Sequence, residues 1–482
     1  MTTRKAWLVA LLPLALAPAP AAAQEAAALL KRAAAAMGAD RLTTLRYSGS
    51  GGGASYGQAY RPGMPWPRLN YSSYERQLDY QAQASSEIVV RSRAEPRGGG
   101  AVPLAGEARF GALVSGAYAW NLAGPAPVPR QAARGARLHD LWITPHGVIK
   151  AAQRGDARLA FRTVRGRELA AVSFAVPGIM SATALINEDY LVERVESRVP
   201  DPVLGDTAVV TRYSDYRDFG GVKFPTRIRQ TQAGAAVLDL EVKEVAPNAR
   251  VELAVPENVR TATERVSAEQ AAEGVWFLGG GSHNSVLIEM KDHAILVEAP
   301  LYDGRVGAVL DTARKLAPGK RVRYVVNSHS HFDHSGGLRA AAAAGAAVIT
   351  QQANKAFFEK AFANPNRIAP DLLARSGNKA KVIGVAGKRV LSDGSRTVEI
   401  HKLPDRLHTD TFLMVYLPKE KLLIEADAFT PGPPNQAAPA KPNPYHVNLL
   451  DHLARLKLEP ERILPLHGRM VPVGELKRVA AR

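Results

Sequence analysis

Four groups able to hold a metal ion fall within six consecutive residues, His329-Ser330-His331-Phe332-Asp333-His334. The run follows the apolar stretch Arg323-Tyr324-Val325-Val326-Asn327-Ser328 and precedes Ser335-Gly336-Gly337 and an alanine-rich helical pattern. A buried strand ending in a turn before a helix is expected here, and such strand-end loops are where sites form in open α/β sheets. Imidazole with carboxylate suits zinc or another borderline divalent ion, whereas calcium and magnesium sites are mostly oxygen. With no cation present, so many ionisable groups in one loop would strain the fold by repulsion and desolvation.

Zinc takes four ligands, or a fifth as chemistry proceeds, so this loop cannot complete two sites alone. Three further candidates lie at or beside the ends of predicted strands. His408 precedes the apolar run Phe412-Leu413-Met414-Val415-Tyr416-Leu417, Asp427 ends Leu422-Leu423-Ile424-Glu425-Ala426-Asp427, and His467 closes Ile463-Leu464-Pro465-Leu466-His467-Gly468. A metal site at one rim of a sheet would produce that repeated arrangement. Asp427 also has a plainer reading as the N-cap of a following helix.

Taken in order, the H-x-H-x-D-H run, the lone His, the strand-terminal Asp and the C-terminal His-Gly pair resemble the metallo-β-lactamase superfamily. The resemblance covers roughly Glu273 to Ala481. It implies one metal held by His329, His331 and His408, a second held by Asp333, His334 and His467, and Asp427 bridging both. The cofactors implied are two Zn²⁺, although iron and manganese accept much the same ligands. The fold implied is α/β, an αββα sandwich of two facing sheets with helices outside, and the strand–helix alternation of this half agrees. Two metals about 3.5–4 Å apart share a water whose pKa falls from about 15.7 towards about 7, so a bridging hydroxide attacks the substrate. Asp333 would orient that nucleophile and relay its proton to the leaving group, besides serving as a ligand. The chain departs from the family pattern around His408, which lacks the usual preceding Gly, and His401 lies close enough in sequence to compete for that role. It departs again at Glu298, where the family's early strand ends in Asp; Glu298 is the candidate to orient a ligand from behind.

The commonest β-lactamases of the family carry a Cys at or near the position of Asp427, and this chain contains no Cys. A bridging Asp is similar instead to the lactonase, thioesterase and phosphodiesterase branches. The resemblance thus implies cleavage of an ester, lactone or similar acyl bond of a small molecule. Two alternatives stand beside it: periplasmic β-lactam hydrolysis, and a lipid- or ligand-binding envelope protein with a secondary metal site. A Pro-rich loop from Thr430 to Tyr445 is expected to wall the pocket. Pocket candidates are Lys441, Tyr445 and His446 there, and His283 between two early strands.

Residues 1–23 read as a secretory signal peptide: Arg4-Lys5, an apolar run from Ala6 to Ala17, and Ala21-Ala22-Ala23 as the cleavage site. That run is too short and too Pro-broken to anchor the chain in a bilayer, and no Cys offers a lipid attachment point. The expectation is a periplasmic or secreted protein without disulfides. At 482 residues, two domains are expected. Residues 24–262 would form a β-rich accessory domain: a helix from Glu25 to Gly38, then an antiparallel meander with a hairpin turn at Gly220-Gly221. This part faintly resembles the half-barrel of periplasmic lipoprotein carriers. Residues 263–482 would form the catalytic domain, with Glu252 to Glu264 as linker. The net charge is +17, and losing Arg4 and Lys5 with the leader leaves +15. That suits anionic substrates or envelope lipid head groups, but the charges are scattered and no basic–aromatic run marks a nucleic-acid partner. His139 and His146 read as structural, and oligomeric state leaves no trace in the sequence.

Overall fold

The computed structural model describes residues 19–94, 106–404, 407–434 and 437–481, with backbone alone at 19–22. The apolar stretch of the expected leader lies outside these residues. The first helix, Ala19–Met37, runs through the expected cleavage point, and among its described side chains Ala26, Leu30, Ala33, Ala34 and Met37 are buried. Their spacing draws one apolar stripe along the helix. No helix among the described residues is long and apolar enough to cross a membrane.

After this helix the chain builds one antiparallel sheet of thirteen strands, from Thr44–Ala54 to Ala235–Pro247. The first and last of these pair with each other mid-sheet, joining two meanders. The expected hairpin is present, its turn made by Gly220 and Gly221 at φ 67° and 85°. Elsewhere in the meander the strand Val192–Asp201 begins just after a turn in which Tyr190 has φ 62°.

Two helices, Arg134–Trp142 and Pro145–Gln153, interrupt the meander where the sequence suggested strands only. They show that the sheet is curled. The Arg137 guanidinium donates to the Leu113 carbonyl at 2.7 Å, and two residues on, His139 Nε2 meets Ser197 Oγ at 2.9 Å. The strands carrying Leu113 and Ser197 stand seven places apart in sheet order. Laid flat, seven spacings would span about 34 Å, against a helix diameter of about 10–12 Å. The interior so enclosed is filled by the three helices, with Leu30, Met37, Leu138, Trp142, Val148 and Ile149 packed against strand residues such as Leu45, Tyr74, Val172 and Phe224. His146 is structural as expected: its Nε2 donates to the Met37 carbonyl at 3.1 Å and its ring stacks on Phe224.

From Ser267 onward two sheets face each other. One has seven strands, ending in the parallel set Ala294–Val297, Val322–Val326, Ala347–Gln351 and Val382–Val385. The other has six, with Leu422–Glu425 and Arg462–Pro465 parallel. Val286, Ile288, Val326 and Ile349 from the first sheet pack on Ile400, Val415, Ile424 and Leu464 from the second. Such strands are apolar on both faces because helices cover their backs. Asp303–Leu316 and Lys355–Ala363 place Val306, Val309 and Phe358 behind one sheet. Pro444–Leu456 and Val473–Ala480 place Leu449, Leu453 and Leu476 behind the other. This is the αββα arrangement.

Candidate metal centre

The seven side chains singled out from the sequence converge where the two sheets open at their strand ends. The strand Val322–Val326 releases the chain into the His-rich loop, which is shaped from behind. The Asn327 side chain donates to the His329 carbonyl at 2.7 Å and to Glu298 Oε1 at 3.1 Å, while Ser335 Oγ donates to the His331 carbonyl at 2.7 Å. Gly336 and Gly337 allow the loop to seat: a Cβ on the first would lie 1.9 Å from the Leu301 carbonyl oxygen, and on the second 2.1 Å from Val306. From the other sheet come His408 ahead of Phe412–Leu417, Asp427 after Leu422–Glu425 and His467 after Arg462–Pro465. No helix follows Asp427 directly, so its N-cap reading fails. His401 stays within the strand Thr397–Leu403, its Nε2 meeting Glu399 at 2.8 Å.

Two groups of donor atoms result, each with all members within 4.8 Å of one another: His329, His331, His408 and Asp427; and His283, Asp333, His334 and His467. In the first, Asp427 Oδ2 lies 3.0 Å from His408 Nε2 and 3.5 Å from His329 Nε2, and these two nitrogens are 3.4 Å apart. In the second, His467 Nε2 and His334 Nε2 are 3.1 Å apart, and Asp333 Oδ2 is 3.2 Å from His283 Nε2 and 3.9 Å from His334 Nε2. Four donors about 2.1 Å from a central ion sit about 3.4 Å from each other in a tetrahedron. Both groups straddle that spacing. Asp427 also reaches the second group, with its oxygens 2.9 Å from His467 Nε2 and 3.3 Å from His334 Nε2.

Imidazole tautomers point the same way. His331 Nε2 contacts the Ala59 carbonyl at 3.1 Å; a carbonyl only accepts, so this nitrogen carries the proton. Among the described residues its Nδ1 is buried without a partner, which leaves a lone pair free for a metal. Glu298 Oε2 stands 3.4 Å from His334 Nδ1, the backing position expected of it. Glu298 and Asp427 hold φ of +81° and +58°, a left-handed conformation costing a residue with a side chain about 1–2 kcal/mol. Strain gathers where side chains must be aimed.

The charges interlock. Burial would raise the Asp427 and Asp333 carboxyls, yet facing imidazoles hold both well below the usual carboxylate range, His334 and His467 for Asp427, His334 and His283 for Asp333. Burial works against a proton on His334 and His467, but Asp427 outweighs it and raises both. Burial pushes His331 down to about 3 and His283 to about 4. Two ionised carboxylates inside a ring of imidazoles ask for cationic charge between them.

Residues 278–467 match the family model described as the metallo-beta-lactamase superfamily. This part of the chain belongs to the metallo-β-lactamase superfamily. It is accordingly a metal-dependent hydrolase, and the sandwich described above is the fold of that superfamily. The full chain matches no curated protein. Among solved structures, a metallo-β-lactamase from Pontibacter korlensis is 18% identical over 45% of this chain and 98% of its own, with a TM-score of 0.34. FIM-1 from Pseudomonas aeruginosa, solved in a mono-zinc form, is 21% identical over 45% of this chain and 93% of its own, with a TM-score of 0.32. A metallo-β-lactamase from Hirschia baltica is 17% identical over 45% and 96%, with a TM-score of 0.33.

Other contributions were not legible in the sequence. The connection between the strands Thr44–Ala54 and Arg68–Asp79 of the curled sheet lies against the superfamily region's His-rich loop. Gln58 Nε2 donates to Asp333 Oδ1 at 2.8 Å, Phe332 N donates to the Gly57 carbonyl at 3.2 Å, and Thr409 Oγ1 donates to the Tyr60 carbonyl at 2.8 Å. Arg61 pairs with Asp410. A cleft of about 1230 Å³ between the two regions is bordered by Trp66, Arg198, Arg227, Phe332, Phe357 and Lys360. Of the pocket candidates, Tyr445 is buried with its ring 5.7 Å from that of His408, and Lys441 is exposed in the Pro-rich loop. His446 lies against Phe429 at 5.0 Å, and burial lowers its pKa to about 4. His283, expected at a pocket rim, sits inside the second donor group instead.

Proposed function

We propose that the chain is an exported, dinuclear zinc hydrolase that opens an ester, lactone or similar acyl bond of a small molecule. One observation carries the dinuclear reading: the Asp427 carboxylate reaches both imidazole sets, Oδ2 at 3.0 Å from His408 and 3.3 Å from His334, and Oδ1 at 2.9 Å from His467. His329, His331 and His408 would hold one ion, Asp333, His334 and His467 the other, with Asp427 spanning them. When bound, such a pair supplies a water activated near neutral pH and polarises the substrate oxygen.

The chain's own residues then divide the work. Asp333, kept ionised and one-third exposed at its side chain, is placed to accept a proton from the nucleophile and hand it to the leaving group. Gln58 pins the other oxygen of that carboxylate, which fixes its direction. Glu298 holds His334 from behind. Tyr445 closes the wall beside His408, and Trp66, Phe332 and Phe357 offer apolar surface for an acyl chain in the adjoining cleft. The absence of any Cys leaves Asp427 as the bridging group and favours acyl substrates over β-lactams.

Export rests on the charged start and the apolar run ahead of Ala23. The rival reading, a lipid- or ligand-binding envelope protein, would place its ligand on the curled sheet, whose interior the three helices fill but whose strands also line the cleft. The test is metal analysis of the purified protein beside a panel of lactones, aryl esters, phosphodiesters and a chromogenic cephalosporin. Two zinc ions per chain with turnover on acyl substrates is the expected result; preferred turnover of the cephalosporin, or none on any class, overturns it. N-terminal sequencing of the periplasmic fraction should begin at Gln24.

A further inference from the structure

We propose that His283 is a direct ligand of the second metal, giving that centre three imidazoles, as in the first, beside Asp333 and the shared Asp427. The inference rests on the dinuclear reading and extends it to a residue from outside the loops that carry the other ligands. His283 follows the strand Val275–Gly279 and precedes Ser285–Glu289, in a turn that is stapled to the His467 loop. The neighbouring Asn284 donates its backbone N to the Leu466 carbonyl at 2.8 Å, and its side-chain amide to the carbonyls of Pro465 at 3.1 Å and Gly468 at 2.8 Å. His283 and His467 are therefore held at a fixed mutual distance, ring centres 4.1 Å apart, and His334 lies 4.9 Å away on the other side.

The imidazole is buried, and its Nε2 points into the group, 3.2 Å from Asp333 Oδ2. Its other nitrogen lies 2.9 Å from Ser282 Oγ. A hydroxyl accepts as readily as it donates, so Nδ1 can carry the proton and leave Nε2 a lone pair. The Ser282 carbonyl meets His467 Nδ1 at 2.9 Å and so sets the same tautomer there, with Nε2 inward. If His283 served only to hydrogen-bond Asp333, that carboxylate would be held at both oxygens, because Gln58 already takes Oδ1. His283, Asp333, His334 and His467 bring four donor atoms within 4.8 Å of one another, which describes a centre more directly than three donors and a bystander. Asp427 would add a fifth ligand, which zinc accepts. Such a nitrogen-rich set selects zinc-like ions over magnesium or calcium.

The test is a crystal structure of the zinc-loaded protein, with chelator-competition titrations of wild type, His283→Ala and His283→Gln. His283 Nε2 is expected about 2.0–2.1 Å from the second zinc. Second-site affinity in both variants should fall by more than about 100-fold, beyond what loss of an outer hydrogen bond causes, with the first site unchanged. The proposal is overturned if two zinc ions bind while His283 still contacts only Asp333, or if the variants bind the second zinc as tightly as wild type. A wild-type protein that never takes a second ion overturns the dinuclear reading instead, and this inference with it. The wild-type structure decides the matter even if a variant fails to fold.

Discussion

The carbonyl of Ala59, on the curled sheet's side of the molecule, accepts from Nε2 of His331, 272 residues further along the chain. Fixing the proton on Nε2 frees Nδ1, so a backbone atom of the N-terminal region decides which nitrogen of this imidazole faces the metal site. The loop bearing Ala59 is locked by Gly57, whose φ is +74° and whose Cβ, if present, would lie 2.4 Å from the Phe332 ring. The front region thus contacts the candidate metal centre directly.

Gly57→Ala should test that coupling without touching a ligand. The new methyl meets Phe332 in a backbone conformation that alanine resists, so the loop must shift and the Ala59 carbonyl with it. Affinity of the first site for zinc should fall about 10–100-fold, the cost of losing an outer-shell partner. Competition with a chromophoric chelator measures it, and circular dichroism checks that the fold is kept. Unchanged affinity would mean the loop merely covers the site.

Asp427→Ala removes the carboxylate that contacts imidazoles of both donor groups. Four imidazoles, those of His329, His334, His408 and His467, then face each other without the charge that balances them. The variant should hold fewer than two zinc ions per chain and turn over acyl substrates at least about 100-fold more slowly. Plasma emission spectrometry and initial rates on the same preparation check both. Two firmly held zinc ions in this variant would refute a bridging role.

The parts of this molecule that the sequence made legible are those whose cause is local. Phe412–Leu417 is buried at every position, so its unbroken apolar run announces a strand covered on both faces. The His-rich loop and the strand-end Asp427 and His467 could be found because ligand spacing and strand termini are both written in the chain. Helix Pro145–Gln153 was missed although Thr144 caps it by accepting from Gly147 N and Pro145 starts it. It is nine residues long and buried nearly all round, so it lacks the polar stripe that marks a helix. The pairing of Thr44–Ala54 with Ala235–Pro247, and hence the curl, depends on strands closing over a long loop. Gln58 and Ala59 carry no chemistry of their own; their role exists only through the approach of another region.

Arg305 should anchor the segment at Glu264 and Arg265, and the end of the strand Val275–Gly279, to the helix Asp303–Leu316. Its side chain is wholly buried and donates to the Arg265 carbonyl at 2.7 Å, the Gly279 carbonyl at 2.8 Å and Glu264 at 3.1 Å. Arg305→Met keeps most of the volume but strands those acceptors, at a cost on the order of 3 kcal/mol. The urea midpoint of tertiary-structure loss should drop accordingly. A shift within error would place the anchor elsewhere.

His146 gives the curled sheet an acid limit. Burial holds its pKa at about 4, against 6.5 for the free side chain, because the ring sits beneath Phe224 with only the Met37 carbonyl as partner. A depressed folded pKa means that below pH 6.5 the unfolded chain takes up a proton the folded chain refuses. Stability from this group is therefore complete above pH 6.5, declines as the pH falls towards about 4, and is flat below. At about 1.36 kcal/mol per unit, the loss is about 3 kcal/mol. His146→Phe keeps the stacking but not the hydrogen bond, so near pH 7.5 it should be less stable than wild type by about 1 kcal/mol. Near pH 4.5 the order should reverse, since phenylalanine has no proton to refuse. Urea midpoints of the two proteins, followed across that range, should cross; curves that stay parallel would show that His146 does not set the acid sensitivity of this region.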